Sequence, residues 1–222
     1  MVQKQAKRRA KIPAAADQAA EPRRRGRPRA YDPETALAAA AEIFWNKGYD
    51  GTSLDDLAAA TGMNRPSLYA AFGDKQTLYL KTLARYREEA RIGSVGLLED
   101  DPPLRVFLKR FYKGALNLYI TRDGNARGCY TVGTAATQAV ADPKVRAFLV
   151  ESIRGTDEFL AEIIAKARDR GELPRSADPH ALAQLASGTL HTLAVRARAG
   201  VPRKELDALA AVTVSTICGP EH

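Results

Sequence analysis

Apolar residues recur at three- and four-residue intervals along most of this chain, and polar residues fill the gaps. Leu37, Ala40, Ala41 and Phe44 form such a stripe between Asp32-Pro33 and Gly48, which predicts a helix over Pro33–Lys47. The same spacing predicts a short helix after Thr52-Ser53 and another after Asn64. Longer ones follow over roughly 75–91, 102–122, 128–140, 143–170, 178–199 and 203–218. Four Asp-Pro pairs (Asp32-Pro33, Asp101-Pro102, Asp142-Pro143, Asp178-Pro179) punctuate the pattern, because Asp accepts from the free N–H groups of a helix start and Pro fits its first turn. Gly48, Gly62, Gly171 and Gly200 stand where helices should stop. No segment alternates with period two, so the expected fold is all-α.

The stretch "TGMNRPSLYAAFGDK", residues 61–75, is poorly built for a helix that only fills space. With Gly62 as a turn, Leu57, Met63 and Leu68 take the apolar positions that pin two crossing helices together, and Ala58 supplies the small side chain at the crossing. Asn64 is a cap, and Pro66 is tolerated in the first turn. Leu68 and Phe72 go to packing, which leaves Arg65, Ser67, Tyr69 and Ala70 on the other face. This is the pattern of a helix-turn-helix. Small residues let the second helix sink into a major groove, Arg65 can fork onto a guanine edge, and Tyr69 can donate to a phosphate. Thr52 and Ser53 cap the helix before the turn, where a hydroxyl can also meet a phosphate. Lys75 opens the next helix, where dipole and ammonium together favour a phosphate.

Charge sharpens this picture. The net charge is +8, and residues 1–30 carry ten Lys/Arg against two acids, so the whole excess sits there. That segment has almost no large apolar residue and is expected to be a disordered basic arm. Its "RRRGRPR", residues 23–29, resembles an AT-hook, in which Arg25 and Arg27 would enter a narrow minor groove. A solvated charge run is the other reading. An apolar fraction of 45% supports a real core, and no run approaches the ~18 apolar residues that span a bilayer. A cytoplasmic protein is therefore expected, with no membrane partner. Cys129 and Cys218 are too few for a disulfide framework, and the three histidines show no metal-ligand spacing. No metal, cofactor or enzyme activity is expected, since no nucleophile–base pair or phosphate-binding glycine loop is present.

"EIFWNKGYDGTSLDDLAAATGMNRPSLYAAFGDKQTLYL" resembles the DNA-binding domain of the TetR family of bacterial transcriptional regulators. The likeness lies in the Phe and Gly-Tyr that close the first helix, the Thr-Ser cap, the turn glycine, the Leu-Tyr pair and Phe-x-x-Lys into the next helix. It implies a homodimer on double-stranded DNA, one such domain per subunit, a larger helical ligand-binding domain and no enzyme activity. Thr52, Arg65, Ser67, Tyr69 and Lys75 match positions that commonly touch DNA. The family often carries an aromatic or His pair after the Tyr, where this chain has Ala70 and Ala71. The implied division is a basic arm over 1–30, a DNA-binding domain over 31–78 and a ligand-binding and dimerisation domain over 79–222.

In the last part, Leu182, Leu185, Thr189 and Leu193 share one stripe, and Leu206, Leu209, Thr213 and Ile217 share another. With Gly188 permitting close approach, these are candidates for a dimer interface; an internal core explains the stripes equally well. Candidates for a small-molecule effector pocket are Phe111, Tyr112, Tyr130, Thr134, Phe159 and His191, with Gly155 leaving room between Phe148 and Phe159. An ordinary aromatic core is the alternative. Cys129 reads as a buried structural thiol rather than a redox sensor.

Overall fold

A computed structural model describes residues 32–121 and 124–220. Local chemistry sets most helix starts. In α1 (Pro33–Lys47) the Asp32 carboxylate accepts from Thr35 N–H at 3.0 Å, and the helix ends where Gly48 takes φ 72°. Ser53 and Asp56 form a reciprocal capping box at α2 (Leu54–Thr61), which stops at the left-handed Gly62. Asn64 caps α3 (Arg65–Phe72), and Asp74 caps α4 (Lys75–Gly96), which runs one turn beyond its expected end. Asp142 and Asp178 cap α7 (Pro143–Asp169) and α8 (Pro179–Arg198), and α9 (Arg203–Cys218) closes the series.

Two expected helices differ. The second Asp-Pro pair is no cap: Asp101 sits at φ 41° and pairs with Arg170 at 2.7 Å, and α5 (Leu104–Tyr119) begins after Pro103. Glu172, three residues past the end of α7, accepts from Leu104 N–H in its place. The helix expected over 128–140 is a π-helical turn, Thr131–Ala135, running into the short α6 (Ala136–Gln138). A π turn takes in an extra residue, so side chains beyond it are rotated from the positions that a 3.6 period assigns.

The described residues form one compact unit with two apolar cores. One core joins Ala40, Phe44, Leu57, Leu68, Phe72 and Leu83 of α1–α4. It continues without a break into Tyr130, Ala135 and Val145, so the packing of the first four helices does not stop at residue 78. The other core gathers Phe107, Leu116, Leu160, Ile164, Leu193, Leu206 and Val214 of α5 and α7–α9. Each fully buried Leu contributes about 1.5–3 kcal/mol relative to exposure. No described helix is long and apolar enough to cross a membrane.

Between α4 and the π turn the core is polar as well as aromatic. Tyr79 Oη and Thr134 Oγ1 lie 2.7 Å apart, and Thr82 Oγ1 and Tyr130 Oη 2.8 Å apart. Thr82 also donates to Tyr79 O. All four residues are buried, and burial pushes the Tyr79 hydroxyl up to about 12 and that of Tyr130 further. Around these hydroxyls the rings meet edge-on or tilted, Phe44 and Tyr49 against Tyr79, Tyr79 and Tyr86 against Tyr130, and Trp45 against Tyr86.

Candidate nucleic-acid interface

Leu57 (0% exposed), Met63, Leu68 and Phe72 are buried and hold α3 across α2. At the turn, φ 66° at Gly62 is a conformation that costs a glycine little and a residue with a Cβ more. What α3 leaves outside is a short surface of small and polar groups. Asn64, Arg65, Pro66 and Ala70 are exposed, Ser67 is half-buried, and Tyr69 is 48% exposed. Asn64 Oδ1 accepts from Ser67 N–H at 2.9 Å, so the cap is made while the residue stays exposed.

Arg65 is not idle. Its Nε donates to Asp55 Oδ1 at 2.8 Å and its Nη2 to Oδ2 at 2.5 Å, a two-pronged pairing from α3 to the first turn of α2. Asp55 raises the Arg65 pKa, through its hydrogen bonds first, and holds the guanidinium at the start of α2. The pair is exposed, so reading a base means exchanging one bidentate acceptor for another at small net cost. Nothing in a one-dimensional pattern places Asp55 opposite Arg65. Lys47 and Asp56, 2.6 Å apart, fasten the end of α1 to the start of α2. Through the Lys47 hydrogen bond first, and the Ser53 bonds next, Asp56 falls from 3.8 to about 2.

Lys75 lies at the start of α4, with its ammonium 4.3 Å from the centre of the Tyr49 ring. Partial burial lowers its pKa, and Asp50 acts against this. The same helix start already carries the Asp74 carboxylate, which accepts from Thr77 N–H at 2.7 Å.

Thr52 is a correction. It is 1% exposed and its hydroxyl donates to Gly48 O at 2.7 Å, so it braces the turn after α1 and offers no hydroxyl to a phosphate. Ser53 is the exposed cap of the two. Arg25 and Arg27 lie outside the described residues.

The expected effector residues do not converge. Phe111 stacks on Phe107 and meets Tyr112 edge-on in the body core, Phe159 meets Phe107 edge-on, and Tyr112 Oη donates to Ala186 O at 3.0 Å. Tyr130 and Thr134 belong to the other core, where their hydroxyls meet those of Thr82 and Tyr79 on α4. His191 is half-buried on α8 and burial lowers its pKa, while Asp157 pulls the other way. Gly155 is exposed and opens no internal space. Burial likewise raises the Cys129 thiol, which accepts from Tyr86 Oη at 3.5 Å.

The interface stripes divide too. Leu193, Leu206, Thr213 and Ile217 are buried in the chain's own core, and Thr213 and Thr189 share a hydrogen-bonding contact of 3.1 Å. Leu182 and Leu209 pack against that core from its edge. Leu185, at 42% exposure, and Gly188 face outward, as does Val212, which the periodicity did not single out.

An all-α body carrying a helix-turn-helix with an exposed, small-residue second helix defines a DNA-binding transcriptional regulator. Comparison with known proteins makes this specific. Residues 36–82 match the family model of bacterial regulatory proteins, tetR family, and residues 107–212 match a tetracyclin repressor-like C-terminal domain. The HTH-type transcriptional repressor BdcR of Escherichia coli K12 is 30% identical over 192 residues, covering 86% of this chain and 92% of BdcR. ComR, an HTH-type transcriptional repressor of the same organism, is 28% identical over 191 residues, or 86% and 90% of the two chains. A structure of the TetR family regulator CifR, a cysteine mutant complexed with 26-bp double-strand operator DNA, superposes with a TM-score of 0.74 at 30% identity, covering 85% of this chain and 98% of CifR. The chain belongs to the TetR family.

Proposed function

We propose that this protein is a repressor. Its homodimer lays the two α3 helices in successive major grooves of a near-palindromic operator and leaves that site when a small molecule binds the helical body. The observation that carries this reading is the exposed face of α3, with Arg65 pre-extended by Asp55 and Tyr69 half-exposed above a fully packed support. Arg65 reads a base; Asn64, Ser53, Tyr69 and Lys75 position the helix on phosphates; and the Arg25 and Arg27 arm enters the flanking minor groove. Dimerisation uses the outer faces of α8 and α9, where Leu185 and Val212 are exposed and Gly188 has open space above it. ComR and BdcR are both transcriptional repressors, which favours that sign of regulation. An effector acts by binding the operator-competent and released states unequally.

One observation favours a second reading, a DNA-binding architectural or partner-regulated factor without a small-molecule effector. The aromatic cluster of Phe107, Phe111, Tyr112 and Phe159 fills its own space. The test is to recover and sequence the genomic fragments that the full chain retains, footprint them, and then screen compounds for operator release. Two protected half-sites about one helical turn apart are expected. Retention without sequence enrichment overturns the regulator's operator reading, and specific binding that responds only to a partner protein selects the second reading.

A further inference from the structure

A cleft of about 290 Å³ opens beside the π turn, lined by Val132, Gly133, Ala194, Val195, Arg198 and Ala199. Five of these are aliphatic or glycine, and Arg198 is the one charge. Gly133 makes room for it: a Cβ there would come 3.0 Å from Arg198 Nη1. No carboxylate is paired with Arg198 among the described residues. Its Nη1 donates instead to two main-chain oxygens, Arg127 O at 3.1 Å and, more loosely, Trp45 O at 3.5 Å. A guanidinium bound only to neutral carbonyls at the wall of an apolar cleft has its strongest class of partner missing.

Those two carbonyls join the body to the DNA-binding head. Trp45 belongs to α1, and its Nε1–H donates to Arg127 O at 3.2 Å, the oxygen that Arg198 also holds. Arg127 returns to α1 with its side chain, both Glu42 oxygens lying 2.9 Å from Nη1 and the guanidinium 3.8 Å over the Trp45 ring. The end of α8 presses close here, since a Cβ on Gly128 would fall 2.5 Å from Ala194 O.

We infer that this cleft is a binding site for a small apolar carboxylate, the acid pairing with Arg198 and the hydrocarbon lying on Val132, Ala194 and Val195. Resting on the effector-responsive reading above, it also names a route to the operator. A guanidinium drawn onto a carboxylate leaves the Trp45 and Arg127 carbonyls, and α8 loses a hold on α1.

Trp45 is the only tryptophan of the chain and reports directly on this contact. The experiment titrates the full chain with hexanoate and benzoate, and with their neutral amides, following Trp45 emission and operator anisotropy together. The carboxylates should produce a saturable emission change that the amides lack. Arg198→Gln should weaken it about tenfold or more, Arg198→Lys should keep most of it, and Ala199→Phe, which fills the cleft, should abolish it. Equal responses to acids and amides in the wild-type protein, or to acids in wild type and Arg198→Gln, overturn the site. So does a change of oligomeric state in Ala199→Phe, because a second copy then covers the cleft. Arg198-dependent binding that leaves operator affinity unmoved supports the site and removes the effector reading. Operator release by other compounds, without any Arg198-dependent signal, does the reverse.

Discussion

Thr82→Val removes one hydroxyl from the buried junction of α4 and the π turn while keeping the side chain's shape. Thr82 and Tyr130 are both 0% exposed, and Thr82 Oγ1 is the described partner of the Tyr130 hydroxyl. The variant strands that hydroxyl in an apolar setting, at a cost of about 1–3 kcal/mol. Tyr130→Phe deletes the hydroxyl itself. Thr82 keeps its bond to Tyr79 O at 2.6 Å, so the loss is smaller, about 0.5–1.5 kcal/mol. The double variant has nothing stranded. Its cost should fall short of the summed single costs by about 1 kcal/mol. Urea unfolding of the four proteins measures this through midpoints at a constant slope. None of the substitutions touches the exposed face of α3, so operator affinity of the folded variants should change little. Single effects that add within about 0.3 kcal/mol would refute the claim that these two hydroxyls satisfy each other.

Arg65→Ala should lower operator affinity about tenfold or more and relax preference at one base per half-site, whereas Lys75→Ala should weaken all sequences alike and make the salt slope shallower by about one; a Lys75 variant with altered sequence preference and an unchanged slope reverses those roles. Replacing Arg25 and Arg27 by Lys keeps the charge of the arm, so loss of A·T-rich flank preference in binding titrations marks groove insertion, and unchanged preference leaves a solvated charge run. Asp56 has a folded pKa of about 2 against an ordinary 3.8, so its contribution to stability is complete above roughly pH 4 and is lost as pH falls toward 2. Acid unfolding of Asp56→Asn should lack that component, and an identical acid profile would show that the Lys47–Asp56 pair does not hold α1 to α2.

Helix starts were legible in the chain because capping is local. Asp32, Ser53, Asn64, Asp74, Asp142 and Asp178 each accept from N–H groups two or three residues on, a relation that sequence spacing states directly. The exposed face of α3 was legible for a similar reason. Once Gly62 sets the turn, Leu68 and Phe72 must point inward, and Arg65, Tyr69 and Ala70 are left outside. A 3.6-residue period, however, marks a buried stripe without naming what buries it. Leu193, Leu206, Thr213 and Ile217 therefore read as interface or core alike, and only the packing of α5, α8 and α9 in one chain put them inside. Tyr130 and Thr134 followed neither pattern, because their partners Thr82 and Tyr79 lie on α4, about fifty residues away in the chain, and only the packing of α4 against the π turn brings them together. Arg65 with Asp55, and Arg198 with Trp45, depended on the crossing angles of whole helices. Those angles come from the fit of many buried side chains at once, and the Arg198 contact joins residues 153 positions apart, beyond the reach of any local pattern.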